Sequence, residues 1–202
     1  MANVNDINIS PTTQYYDAQQ DTTSQPLIAK QIYPCHIKEV FIREVDVKKK
    51  YRAKVYNITL EIADSIKNES FDTEKGTVLG GSFVGRKLYS TGVFFFLAPN
   101  NGDTFQANPG GNERYLKLCE AIGIDCPVVS MDVEVDGKVE KREVKSLPIL
   151  TDNDMIGKSI RGYLDYAPYT DKDGNKKTSL KVKLFEPCDL PDRDFAVDEL
   201  PF

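Results

Sequence analysis

Two long runs early in the chain, CHIKEVFIREVDV from Cys35 and YRAKVYNITLEIAD from Tyr51, are crowded with β-branched and aromatic residues. Those types favour extended backbone. In the second run Tyr51, Ala53, Val55, Asn57 and Thr59 alternate with Arg52, Lys54, Tyr56, Ile58 and Leu60. Neither set is purely polar, so both faces of this strand are expected to be covered for part of its length. That points to a mainly β architecture.

The rest of the chain is consistent with it. SFVGRKLYSTGVFFFLA reads as a strand pair or one bent strand, with Gly85 and Gly92 permitting bulges or corners. APNNGDTFQANPGG is a loop by composition. Tyr115, Leu118, Cys119 and Ile122 then recur at helical spacing, with Asn112 as N-cap and Gly123 as C-cap. VVSMDVEVDGKVEKREVKSLP predicts a hairpin turning at Asp136-Gly137, with Val129, Met131, Val133 and Val135 on one face. IGKSIRGYLDYAPY and KTSLKVKLFEP are joined through Asp173-Gly174-Asn175, a tight-turn sequence. In the last strand Leu180, Val182 and Leu184 are expected to face the core, and Lys181, Lys183 and Phe185 the other side. Strands, one helix, then two strands match the OB-fold layout. The expectation is an OB-fold-like β-barrel with one short helix and an inserted β-hairpin at 128–146.

Charge divides the chain further. The net −5 is uneven: residues 1–26 carry −3, residues 189–202 carry −4, and the middle is +2. A polar arm over 1–27, a barrel over 28–187 and an acidic tail over 188–202 are therefore expected. The first ten residues lack a signal-peptide pattern and no apolar run could span a bilayer. We expect a cytoplasmic protein without membrane partners, whose four irregularly spaced cysteines are reduced and structural.

Catalytic sets are not evident. The sequence holds no phosphate-binding Gly-Lys-Ser/Thr loop, no HExxH and no GxSxG, and its single histidine is His36. Neither an enzyme nor a bound cofactor or metal is expected. Basic and aromatic residues, by contrast, interleave repeatedly, which suits a groove that tracks a single-stranded backbone and stacks bases. The clusters are Lys48, Lys50, Arg52 and Lys54 with Tyr56; Arg86 and Lys87 with Tyr89; Arg161 with Tyr163 and Tyr166; and Lys177, Lys181 and Lys183 with Phe185. Phe94, Phe95 and Phe96 read mostly as core. With only Arg114 and Lys117 as its bases, the predicted helix is poorly suited to the major groove.

The chain ends CDLPDRDFAVDELPF. This is too polar and Pro-broken for a packed element, yet more apolar than solubility requires. Acids with rings and leucines suit docking onto a partner's basic pocket. Asp198-Glu199-Leu200-Pro201-Phe202 resembles the C-terminal tip of bacterial single-stranded DNA-binding proteins. The body, with its LKLCEAIGI helix, MIGKSIRGYLDY, DKDGNKK and final LFEP, looks like phage single-stranded DNA-binding proteins. The resemblance implies an OB-fold that coats single-stranded DNA during replication, recombination or repair. It also implies a tail tip that recruits polymerase or helicase–primase. The long arm and the 128–146 insertion depart from the bacterial domain, so a monomer or homodimer is expected rather than its tetramer. The alternative is a phage structural or assembly protein with a β-rich body and a docking tail.

Overall fold

A computed structural model describes residues 28–48, 51–73, 76–97, 100–101, 104–106 and 111–195. Strands β1 (Ile32–Val47) and β2 (Tyr51–Ile62) form a long antiparallel ribbon with a register shift between Ile37 and Glu39. On β2, Tyr56, Ile58, Leu60 and Ile62 are buried on one face and Ala53 and Val55 on the other. Both faces are covered, in keeping with the mixed alternation of the sequence.

Strands β3 (Ser70–Thr73) and β4 (Gly76–Leu79) make a small separate hairpin. Strands β5 (Lys87–Tyr89) and β6 (Val93–Leu97) both lie along β2, β5 opposite 59–61 and β6 opposite 52–56. The SFVGRKLYSTGVFFFLA run is thus two strands with a break at 90–92.

The stretch that reads as loop by composition holds two short paired strands, β7 (Asn100–Asn101) and β8 (Thr104–Gln106). Its turn-rich residues hide the pairing, because β8 lies parallel to β9 (Val128–Val135), a distant partner. Strand β9 turns through Asp136 and Gly137, at φ 52° and 76°, into β10 (Lys138–Lys145). Successive positive φ values are what a two-residue hairpin needs.

Helix α1 (Glu113–Ala121) buries Tyr115, Leu118, Cys119 and Ala121. It ends in a Schellman motif: Ile124 N donates to Cys119 O at 2.9 Å and Gly123 N to Glu120 O at 3.2 Å, with Gly123 at φ 75°. Asn112 does not cap the helix with its side chain. Its Oδ1 instead accepts from Phe96 N at 2.8 Å and its Nδ2 donates to Phe96 O at 3.1 Å, which ties the helix start to β6.

Strands β11 (Ser159–Thr170) and β12 (Lys176–Glu186) complete the main sheet, whose order is β12-β11-β1-β2-β5 with β6 also on β2. The fold is mainly β with open sheets. The two ends of the main sheet approach at a parallel bridge between Ser90 and Val182. There Thr91 N donates to Val182 O at 3.2 Å, and Arg114 Nη2 donates to Thr91 Oγ1 at 3.1 Å and Lys183 O at 2.9 Å.

One expected alternation is overturned in β12. Tyr163 pairs with Leu184, but Leu164 pairs with Val182, so Lys183 is an extra residue in the ladder. Beyond this bulge the faces exchange. Phe185 turns inward, 8 % exposed, and Leu184 turns outward, 47 % exposed.

Tyr115 is fully buried in the core. Its ring stacks on Phe95 with centroids 4.3 Å apart and tilts against Tyr56 at 5.2 Å. Its hydroxyl donates to Pro148 O at 2.7 Å and accepts from Leu150 N at 3.1 Å. Tyr56 Oη donates to Leu150 O at 3.2 Å. Burial pushes the Tyr115 hydroxyl well above the usual phenol range. No helix among the described residues is long and apolar enough to cross a membrane.

The chain after β12 stays on the body as far as Phe195, so the expected tail, 188–202, does not begin as a free segment. Asp192 Oδ1 accepts from Ser159 N at 3.0 Å and Oδ2 from Lys158 Nζ at 2.6 Å. His36 Nε2 lies 3.1 Å from Pro191 O. Arg193 N donates to Gly157 O at 2.9 Å and Arg193 Nη1 meets Glu61 Oε1 at 2.8 Å. The Phe195 ring lies 5.3 Å from Lys38 Nζ and 4.8 Å from Arg193 Cζ, within cation–π reach.

Candidate nucleic-acid interface

Register defines one outward face. Directly opposed strand residues share a face. Tyr89 is therefore beside Thr59 and Glu39, Phe94 beside Val55 and Arg43, and Phe96 beside Ala53 and Val45; Phe41 is beside Asn57. Phe41 is 67 % exposed, Tyr89 50 % and Phe94 37 %. The Phe94 and Phe96 rings stack with centroids 6.0 Å apart, next to buried Ala53 and Val55. Lys181 holds its Nζ 5.2 Å from the Tyr89 ring centroid across the bridge between the sheet ends. An exposed row of rings with cations at its side can stack planar groups and neutralise anions.

The predicted clusters are only partly brought together. Tyr89, Lys181 and Lys87 lie on this face, with Lys87 Nζ paired to Glu39 Oε1 at 2.5 Å. That hydrogen bond raises the lysine's pKa. Arg52 and Lys54 alternate with the outward residues and pair with Glu44 at 2.7 and 3.7 Å near the far end of the β1–β2 ribbon. Arg52 holds the Glu44 carboxyl below its ordinary value. Lys48 stands at the β1–β2 turn with φ 52°; Lys50 lies outside the described residues.

Arg161 and Tyr163 occupy the outward side of β11. Lys183 Nζ pairs with Asp165 Oδ2 at 3.0 Å, and Lys177 Nζ with Asp171 Oδ2 at 2.7 Å in the β11–β12 turn. Arg86 sits 5.8 Å from the Phe83 ring, and burial lowers its pKa. Tyr166, 47 % exposed, lines a separate cleft.

Two predicted platforms are corrected. Tyr56 is fully buried and hydrogen-bonded in the core, and Phe185 is buried by the β12 bulge. Neither ring offers a face to a base in this structure. Conversely, Phe41, Phe94 and Phe96 join the face although the sequence presents them as ordinary strand apolars. The signal that marks the last two is their alternation with Val93 and Phe95, since rings at every position of a strand cannot all point inward.

Asp198, Glu199, Leu200, Pro201 and Phe202, the predicted partner-binding tip, lie outside the described residues. Among those described, no group of three or more His, Cys, Asp or Glu is placed to hold a metal ion. Comparison of the chain with protein-family models, with curated proteins and with solved structures found no match.

Proposed function

We propose that this protein binds single-stranded DNA, without much sequence preference, on the face built by Tyr89, Phe94, Phe96, Phe41 and Lys181. The observation that carries the reading is the Lys181 ammonium above the half-exposed Tyr89 ring, beside the stacked Phe94–Phe96 pair. Each stacked base on such a platform contributes ~1–3 kcal/mol. Many of the other cations are already ion-paired, so stacking outweighs phosphate neutralisation here.

The layout supports an OB-fold reading of the body. A meander of β1, β2 and β5–β6 is followed by α1 and the β11–β12 hairpin. Strand β11 lies on β1, and β12 meets the end of β5 in parallel. An OB-fold is a partly open barrel of this order. The acidic 196–202 segment serves, on this reading, to recruit replication proteins such as polymerase or helicase–primase. The protein then acts by binding, as a monomer or homodimer, in replication, recombination or repair; if phage-encoded, it works in the host cytoplasm.

Fluorescence anisotropy with labelled single-stranded and duplex oligonucleotides at two salt concentrations tests this. Preference for the single strand and affinity falling with salt are expected. Equal binding to duplex, or none at low salt, removes the reading. Self-assembly without DNA affinity would favour a structural or assembly protein instead.

A further inference from the structure

Arg114, at the start of α1, holds the seam between the ends of the main sheet through a single nitrogen. Its Nη2 donates to Thr91 Oγ1 at 3.1 Å and to Lys183 O at 2.9 Å. The other nitrogens, Nη1 and Nε, also carry N–H donors, and they have no partner among the described residues. Thr91 and Arg114 are both exposed. The two acceptors that Arg114 holds are neutral. Lys87, Lys117 and Lys183 each pair with a carboxylate, whereas Arg114 pairs with none among the described residues. Its charge is therefore fixed in place and unbalanced, with donors left for an anion.

The position of Arg114 indicates which anion. Thr91 belongs to the break at 90–92 between β5 and β6. Tyr89 is opposite Thr59 and Phe94 is opposite Val55, four residues apart on β2, which separates the two rings by about 13 Å along the strand. Between them the chain lies close against the sheet. Ser90 Oγ accepts from Ile58 N at 2.9 Å and from Gly92 N at 3.3 Å. Gly92 is at φ 83°, and a Cβ there would lie 3.2 Å from Val55 Cγ1. A strand whose bases stack on Tyr89 and on Phe94 has to carry its backbone over this break, past Thr91. Lys181 lies over the Tyr89 ring, and Arg114 is fixed at the crossing itself.

We infer that Arg114 binds a backbone phosphate of the single strand where it passes between Tyr89 and Phe94. Nη2 stays on Thr91 and Lys183, and a phosphate oxygen accepts from Nη1 or Nε. A guanidinium suits both tasks, because it holds the seam through one nitrogen and meets the anion through another. The side chain is already ordered, so little rotamer freedom is lost on binding. The inference rests on the single-strand reading and adds to it a phosphate contact supplied by the helix.

Anisotropy titrations of the full chain with oligo-dT over a range of salt concentrations test this. Arg114→Gln should lower the slope of log affinity against log salt by about 0.7, the share of one single-strand phosphate. Its affinity at low salt should fall roughly tenfold. Arg114→Lys loses the clamp but keeps the charge, and should keep the slope. An unchanged slope in Arg114→Gln, or an equal loss in both variants, overturns the inference and leaves the single-strand reading standing. Should neither variant fold, the unmodified protein decides. The Arg114 Nε–H resonance should shift saturably with oligo-dT, and less with the same oligonucleotide carrying uncharged methylphosphonate linkages; equal shifts overturn the inference.

If no oligonucleotide binds, the single-strand reading fails, and inorganic phosphate is titrated against the same resonance. A saturable shift supports an anion site at the seam independently, and no shift overturns it. If oligo-dT does bind, inorganic phosphate should saturate the resonance far more weakly. Equal affinity would make free phosphate the ligand and overturn the assignment to the strand.

Discussion

Lys181 and Tyr89 face each other across the place where the ends of the main sheet meet, with the ammonium 5.2 Å from the ring centroid. Neither is near the other in sequence. The contact exists because β12 runs back beside β5, with Arg114 clamping the Lys183 and Thr91 ends of that approach.

Replacing Tyr89 with Ala should therefore cost about 1–3 kcal/mol of single-strand affinity, with the salt slope retained. Lys181→Ala should lower the salt slope by roughly one ion. Anisotropy titrations at four salt concentrations separate the two effects. Equal slopes for both variants would deny Lys181 a phosphate.

Gly157 holds φ at 85°, and a Cβ there would lie 2.4 Å from Arg193 O. Gly157→Ala should lose about 1–3 kcal/mol through left-handed strain alone, and should also lift the Arg193 segment off the body. Hydrogen exchange at the Arg193 amide, which donates to Gly157 O at 2.9 Å, should speed up more than exchange in β1. Unchanged protection would contradict the packing described.

Tyr115→Phe should unfold earlier in urea, by about 1–3 kcal/mol. The substitution keeps the stack on Phe95 but leaves the buried Leu150 N–H without its acceptor. A neutral result would mean that the loop at 148–150 moves to find another.

Asp165 lies between Lys30 and Lys183, whose hydrogen bonds lower its carboxyl from 3.8 to about 2. A depressed carboxylate stabilises the fold fully above its unfolded value and ceases to do so as pH falls through the folded one. Thermal melts should therefore show a loss of stability between about pH 4 and pH 2. In Asp165→Asn that part of the pH dependence should disappear. An identical profile in the variant would assign the acid transition to other carboxylates.

The fold is legible in the sequence where local pattern and tertiary role coincide. Tyr115, Leu118 and Cys119 announce the helix, and Asp136-Gly137 announces the β9–β10 hairpin. Phe185 is not legible, because one bulged residue at Lys183 exchanges every face beyond it and nothing in KTSLKVKLF marks the insertion. Tyr56 misleads for a related reason. Arg52 and Lys54 beside it look like a binding edge, but the inner face turns from polar to buried within a single turn of the pleat. Asn112 does stand at the helix start, yet its side chain serves β6, a long-range role that capping patterns do not contain. Phe41 and Phe94 look like ordinary strand apolars because exposure of a ring depends on what lies over the sheet.

The pinning of Arg193 and Phe195 also fixes the point from which residues 196–202 depart. Those seven residues can extend at most about 24 Å, measured from a point beside Lys38 and Glu61. Glu61 is two residues along β2 from Thr59, the neighbour of Tyr89. A partner holding Phe202 would thus be confined to a small volume around the face of Tyr89, Phe94 and Phe96. Its effective concentration there would be in the millimolar range, on the order of that for a short linker, so even a weak grip on Phe202 would suffice to hold it beside those rings.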